Sequence, residues 1–275
     1  MKKKQLLLLA VLMLLSGCGK AEPENPYRLK KTTIEYYDRD RETSPWEFVN
    51  TYDENGWRVE KQEYQDGAAD TKIVYAHDEY GNIIRSTYFH SDGTHDVGVD
   101  KLTLDDQHRI IYQESTWNGK PQATTETAYN KDGQITKLYI NRINALEDED
   151  WKSYVDRTYD RKGNLVREDT RWEPDHNSSG YTLYIYKQDK LVRAESYQQD
   201  TLASYTEYSY DETGLIRTAI NYDADGIKES KRITTYDEHG NELESVAYAY
   251  ASERIRYGEA DEEPDSRTTY VYELK

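Results

Sequence analysis

The segment Tyr159-Asp160-Arg161-Lys162-Gly163-Asn164-Leu165 carries the local pattern from which the strand pairing of this chain is predicted. An aspartate at the first position of a type I turn accepts hydrogen bonds from the backbone amides ahead of it, and a glycine at the fourth position lets the chain turn back. An aromatic residue before the turn and an aliphatic residue after it favour β-strands. The segment therefore predicts a β-hairpin turn.

The same pattern of an aromatic residue, Asp or Asn, two variable residues and Gly recurs along the chain. Complete copies begin at Tyr52, His77, Tyr129, Tyr159, Tyr210 and Tyr236. Two weaker copies, at Leu104 and Tyr186, lack the glycine but keep apolar residues after the turn. Eight copies at a spacing of about 26 residues indicate a repeat protein.

A second turn signal, such as Asp66-Gly67 or Asn118-Gly119, falls about halfway between many of the motifs, and the stretches between turns alternate in polarity. Each unit then contributes two antiparallel strands. The predicted fold is all-β, an antiparallel meander of repeated hairpins. Because open twisted sheets seldom exceed about ten strands, about sixteen strands predict a sheet coiled into a roll or open spiral.

Composition agrees with a folded domain that has an unusual core. The chain has 275 residues, a mean hydropathy of -1.05 and a formal charge of -17, which are typical of disorder, but it also has 27 Tyr and 5 Trp. Aromatic rings bury large areas, so we expect tyrosine to supply most of the core. The net negative charge argues against nucleic acid as a partner.

The N-terminal region predicts where in the cell the protein is located. Lys2 to Lys4 precede the apolar run Leu6 to Leu15, which is too short to cross a bilayer comfortably. The following Leu15-Ser16-Gly17-Cys18 resembles the lipobox of bacterial lipoproteins, which implies lipidation of Cys18. An ordinary secretory peptide with an incidental cysteine is the alternative.

These features predict three regions: a lipoprotein signal peptide (1-17), a flexible tether (18-31) and a repeat domain (32-275). The expected location is extracytoplasmic, with a lipid anchor at Cys18 in either the cell membrane or an outer membrane. Since Cys18 is the only cysteine, disulfides and cysteine-based metal sites are excluded from the repeat domain.

The sequence Tyr-Asp-x-x-Gly-Asn-Leu at 159-165, with its echo at 236-243, resembles the YD repeat of the Rhs family, found in bacterial surface and toxin-associated proteins and in animal teneurins. The similarity covers roughly residues 50-250. It implies a β scaffold of hairpins, which in large relatives forms a hollow shell around a cargo. Eight units are too few for such a closed shell.

Motifs for catalysis or metal binding are weak. The set His90, Asp92, His95 and Asp96 is interpreted as a solvated turn rather than a metal site, and Asp223-Ala224-Asp225-Gly226 as a hairpin turn rather than a calcium loop. Nucleophile elbows, zinc-protease motifs and phosphate-binding loops do not occur. No catalytic residue, metal or cofactor is predicted.

Aromatic residues beside predicted turns are the candidate binding residues, because loops there form a rim. These are Trp57, Trp117, Trp151 and Trp172. The predicted function is a non-catalytic, lipid-anchored binding or interaction module for a glycan or a protein. The alternatives are an accessory or immunity-like partner of a secreted toxin, and a surface glycoside hydrolase.

Overall fold

The computed structural model describes residues 27-38, 41-42, 45-143, 151-173, 179-250 and 264-274, and the regular structure of these ranges is β-strand. The strands are β1 (Tyr27–Asp38), β2 (Arg41–Glu42), β3 (Trp46–Tyr52), β4 (Arg58–Gln65), β5 (Ala68–His77), β6 (Ile83–Phe89), β7 (His95–Leu104), β8 (Ile110–Trp117), β9 (Lys120–Tyr129), β10 (Ile135–Arg142), β11 (Trp151–Tyr159), β12 (Leu165–Glu173), β13 (Gly180–Lys187), β14 (Lys190–Gln198), β15 (Thr201–Tyr210), β16 (Ile216–Asp223), β17 (Lys228–Tyr236), β18 (Glu242–Ala249) and β19 (Ser266–Leu274). The predicted all-β meander of antiparallel hairpins is confirmed. Strand β1 begins inside the segment that the sequence predicts as a tether.

The sheet closes on itself. From β3 to β19 each strand pairs with the next, and β1 pairs with both ends of this series: Ile34 lies opposite Trp46 of β3 and opposite Thr268 of β19. Eighteen strands of the described chain thus form a closed barrel, and the two-residue β2 pairs with the end of β1. The predicted roll or open spiral is therefore wrong.

Closure has a physical reason. An open sheet leaves two edges of unpaired backbone N–H and C=O groups, and joining the first strand to the last satisfies both edges. The pairing of β1 with β19 runs from Tyr27 opposite Leu274 to Tyr36 opposite Ser266. These partners are separated by almost the whole chain, so no local turn signal reports their pairing.

The motif turns form as predicted. Asp160 Oδ1 accepts hydrogen bonds from the backbone N of Lys162 at 2.8 Å and of Asn164 at 2.9 Å, and Gly163 turns the chain at a φ of 90°. The two copies without glycine reverse direction by other means. His108 adopts a φ of 62°, and 188-189 form a two-residue turn with φ values of 51° and 63°.

The barrel has two distinct ends. The end with the motif turns, called here the motif end, also contains the start of β1 at Tyr27 and the end of β19 at Leu274. The opposite end, called the far end, contains the connections between hairpins, such as those at 66-67, 118-119 and 199-200. Whatever is attached before Tyr27 therefore enters at the motif end.

The two faces of the sheet differ in burial. The register places nine of the ten buried residues in the described chain on the face that carries the motif tyrosines. They are Asn50, Ile73, Thr127, Ile135, Leu138, Ser153, Ala194, Thr234 and Ser245. Side chains converge and shield one another on the concave side of a barrel, so this face is the inner face. Of the residues described above, the buried ones include no tyrosine, which differs from the expected tyrosine core. The inner-face tyrosines are partly buried, and burial raises the pKa of Tyr184 to about 12.

Candidate binding site at the far end of the barrel

Three of the four predicted tryptophans lie at the far end. Trp117 ends β8, Trp151 begins β11 and Trp172 lies near the end of β12, all on the inner face. Trp57 lies at the motif end, where it packs on His77 with ring centroids 5.6 Å apart. The structure therefore groups Trp117, Trp151 and Trp172 and separates Trp57 from them.

Trp151 and Trp172 form one aromatic pair. Their ring centroids are 5.1 Å apart and the planes are inclined by 42°. Ser153 lies directly opposite Trp172 in the register and is only 3% exposed, so a small side chain lies beneath the two rings. The backbone N of Trp172 donates to Ser179 Oγ at 3.1 Å, which fixes the strand end that carries the ring.

Arg142 extends this pair along the mouth of the barrel. It lies opposite Trp151 in the β10–β11 register, and its guanidinium carbon is 4.8 Å from the Trp151 ring centroid. On its other side it faces Ala123 of β9, whose small side chain leaves room beside the guanidinium. A flat cation over an indole keeps its N–H edge available to a ligand.

Tyr88 and Trp117 form the second aromatic pair, with centroids 4.9 Å apart. Trp117 lies over Gly98, its register partner on β7, where a Cβ atom would be 3.5 Å from the indole. Polar groups adjoin this pair, since Ser115 Oγ donates to Asp100 Oδ1 at 2.6 Å. Rings next to a carboxylate and a hydroxyl suit a ligand that has both apolar faces and hydroxyl groups.

Together these residues form what we call the aromatic belt, defined as Tyr88, Trp117, Arg142, Trp151 and Trp172. It follows the inner face from β6 to β12, and six inter-strand spacings give it a width of roughly 29 Å. Elsewhere the mouth has Trp46, which begins β3 on the inner face and stacks on Phe48, and many small inner-face side chains. Examples are Gly180, Ser196, Ser204, Ser230 and Ala247.

Two members of the aromatic belt are not predicted from the sequence. Tyr88 and Arg142 are not next to a conspicuous turn glycine, and their position depends on the register of neighbouring strands. The signal that could have found them is the hairpin register itself. Once the pairings of β6 with β7, β7 with β8 and β10 with β11 are known, alternation places both side chains on the tryptophan face.

The predicted turns at the other candidate sites are also found. His90 Nε2 lies 3.0 Å from Asp96 Oδ2, whereas His95 packs on Phe89 and Asp92 accepts from the Thr94 amide. These four residues do not converge. Asp223 accepts from its own turn amides, and within the described ranges no group of three or more His, Cys, Asp or Glu could hold a metal ion.

The carboxylates with shifted pKa values lie mainly in turns and ion pairs. Hydrogen bonds from the Asn164 amide and its neighbours hold the pKa of Asp160 below its usual range, and a bond from the Arg109 side chain lowers the pKa of Asp105 to about 2. Wherever a carboxyl pKa in the described residues departs clearly from its ordinary value, the shift is downward. A glycosidase general acid needs the opposite shift.

Comparisons with known proteins give similarity of structure only. No protein-family model and no curated protein matches the chain. A crystal structure of TcdB2-TccC3 is 10% identical over 87% of this chain, with a TM-score of 0.41, and a Photorhabdus luminescens Tc holotoxin pore is 10% identical over 79%, with a TM-score of 0.39. The chain spans 15% and 13% of the length of these toxin chains.

A porin-like protein from Bacteroides uniformis is also similar. It is 10% identical, with a TM-score of 0.43, and the match covers 89% of this chain and 98% of that protein. These TM-scores lie below 0.5, and the similarities assign no function. In the described segments there is no helix with the length and apolarity needed to span a bilayer.

Proposed function

We propose that this chain is a lipid-anchored protein of the cell envelope whose barrel is a non-catalytic binding module, and that its ligand is a glycan held at the aromatic belt. The observation that carries the proposal is the grouping of Trp117, Trp151 and Trp172 with Tyr88 at one end of the inner face. Aromatic rings with polar neighbours suit the apolar faces and hydroxyl groups of sugars.

The position of Tyr27 in the barrel supports a glycan site that faces away from the membrane. An anchor at Cys18 would precede Tyr27 by nine residues, which span at most about 32 Å when extended. Because Tyr27 lies at the motif end, the anchor would hold that end towards the membrane. The aromatic belt at the far end would then face away from the lipid, where an extracellular glycan can reach it.

A glycan array tests the ligand class. We expect the wild-type chain to bind a subset of glycans, and Trp151→Ala and Trp172→Ala to weaken binding about tenfold or more, because each removes a stacking ring. Trp57→Ala is the matched control, since Trp57 has the same chemistry at the opposite end. Loss of binding in the Trp57 variant alone, or no glycan binding by the wild type, would contradict the proposal.

The anchor has its own test. Cys18→Ser removes the thiol that the lipid requires. We expect the wild type to partition into detergent with the membrane fraction and the Cys18→Ser variant to be released. Equal partitioning of the two proteins, or an N-terminal peptide without added lipid mass, would contradict lipid anchoring without affecting the glycan site.

A further inference from the structure

Cations on the outer face of the barrel are widely neutralised by acids on neighbouring strands. Pairs with their N–O distances include Lys101–Glu114 at 3.5 Å, Arg171–Asp156 at 3.0 Å and Arg193–Glu207 at 2.9 Å. In a chain with 53 acidic and 36 basic side chains, such pairing is the expected state of a lysine or arginine.

Four inner-face arginines depart from this pattern. Among the residues that the structure describes, no carboxylate forms an ion pair with Arg58, Arg142, Arg217 or Arg232. Three of them lie over aromatic rings instead: Arg58 over Tyr75, Arg142 over Trp151 and Arg217 over Tyr236. The buried Nε atoms of Arg58 and Arg217 also have no hydrogen-bond partner.

Arg142 is the one of these four that belongs to the aromatic belt. Its pKa is lowered because burial desolvates the guanidinium, and among the described residues no acid opposes that effect. A half-buried cation that pairs with no acid is costly for the folded protein. A ligand that supplied an anion at this point would recover that cost, and the bound guanidinium would present a fork of N–H donors.

On the basis of the proposed glycan-binding function, we infer that the ligand is an acidic glycan, in which one sugar ring stacks on the Trp151–Trp172 pair and its carboxylate binds Arg142. The ring pair and the guanidinium adjoin one another on β10, β11 and β12, so a single sugar residue can engage both. Neutral residues of the same glycan would lie towards Tyr88 and Trp117, where Asp100 and Ser115, which are hydrogen-bonded to each other, would accept hydrogen bonds from sugar hydroxyl groups.

Titration calorimetry of the full chain with galacturonic acid oligosaccharides tests this inference. The neutral comparison is the fully methyl-esterified oligosaccharide, which keeps the rings and removes the charge. We expect the acidic form to bind at least tenfold more tightly, with an affinity that falls as salt rises. A sulfated oligosaccharide of similar length distinguishes recognition of a carboxylate from recognition of any anion.

Substitutions at Arg142 test whether this residue causes the preference for the acidic oligosaccharide. Arg142→Gln should weaken binding of the acidic oligosaccharide about 10- to 100-fold, the range for a lost charged hydrogen bond, and leave the esterified form unchanged. Arg142→Lys should fall between the two, because it keeps the charge without the planar fork. Arg171→Gln, on the outer face near the same end, is the matched control and should bind like the wild type.

Each failure has a separate meaning. Equal binding of acidic and esterified oligosaccharides, or an unchanged affinity in a folded Arg142→Gln variant, would overturn the acidic-glycan inference and leave the glycan-binding function standing. Absence of binding to every oligosaccharide, together with a negative glycan array, would overturn the proposed function itself. Equal melting temperatures of wild type and Arg142→Gln establish that the variant is folded.

Discussion

The hydroxyl of Tyr159 donates a hydrogen bond to the backbone carbonyl oxygen of Ile135, 2.8 Å away. Tyr159 begins one motif and Ile135 is the first residue of the strand that follows the previous motif. Similar bonds to a carbonyl near the start of an earlier strand are made by three other motif tyrosines and by Tyr272 of β19: Tyr52 to Leu29, Tyr129 to Ile110, Tyr210 to Leu191 and Tyr272 to Glu242. Where a motif tyrosine makes this bond, as at Tyr129, Tyr159 and Tyr210, it links its repeat to the preceding one in addition to packing.

Removal of one such link should destabilise the barrel. In Tyr159→Phe the ring remains, but the carbonyl of Ile135 loses its side-chain donor inside the barrel wall. We expect the free energy of unfolding in urea to fall by about 1–2 kcal/mol. Tyr154→Phe is the control, because the Tyr154 hydroxyl lies on the outer face at 3.4 Å from Glu173. An equal loss in both variants would show that the carbonyl bond has no special value.

Two turn glycines should differ in their tolerance of a methyl group. Gly81 and Gly240 have φ values of 86° and 80°, so alanine is strained by about 1–2 kcal/mol at either position. A Cβ at Gly81 would also lie 2.6 Å from Trp57 Nε1, whereas nothing lies within 4 Å of one at Gly240. We expect Gly81→Ala to lower the melting temperature further than Gly240→Ala.

The excess cost can be assigned to Trp57 with a double variant. In a Trp57→Ala background the clash is absent, so Gly81→Ala should cost no more than Gly240→Ala does in the same background. Thermal unfolding of the six proteins, each background alone and with either glycine substitution, measures the coupling. An undiminished difference between the two glycines would mean that their backbones, and not the indole, set the tolerance.

The motif turns predict a loss of stability in acid. Asp105, held by the Arg109 side chain and by turn amides, has its pKa lowered from an ordinary 3.8 to about 2. A carboxyl whose pKa is lowered by folding stabilises the native state above its unfolded pKa, and this stabilisation disappears as the pH falls from about 4 towards 2. The same direction holds for Asp160 and Asp211.

One motif already contains the neutral counterpart. Asn130 accepts the same turn amides through Oδ1, at 2.9 Å from Asp132 N and 3.0 Å from Gln134 N, and it does not titrate. Asp160→Asn should therefore keep the turn and reduce the drop in melting temperature between pH 5 and pH 2, while Asn130→Asp should enlarge it. Parallel melting curves for all three proteins would contradict this origin of acid lability.

The inner glycines at the far end should also differ from each other. At Gly180 a Cβ would lie 2.1 Å from the carbonyl oxygen of Tyr197, which belongs to the backbone and cannot move aside, whereas at Gly98 its nearest neighbour is the Trp117 ring at 3.5 Å. We expect Gly180→Ala to destabilise the protein by about 2 kcal/mol or more, and Gly98→Ala to cost under about 1 kcal/mol. Urea unfolding of both variants tests the order.

Local structure could be predicted because its causes are local. The turn at Asp160 uses hydrogen bonds that reach no further than Asn164, and the alternation of each strand is visible within ten residues. The hairpins, their antiparallel pairing and the inward tyrosines followed from such patterns. The same is true of Trp117, which could be placed at a turn because Asn118-Gly119 comes next in the chain.

Closure and the composition of the belt have causes that are not local. Whether β1 meets β19 depends on the twist and curvature summed over all the intervening strands, and each hairpin motif reports only its own two. Likewise Arg142 on β10 and Trp172 on β12 share the inner face with Trp151 and flank it on its two sides, which depends on the register of three strands. The amino-acid pattern specifies the hairpins, whereas the accumulated geometry of the sheet makes them a barrel with one aromatic mouth.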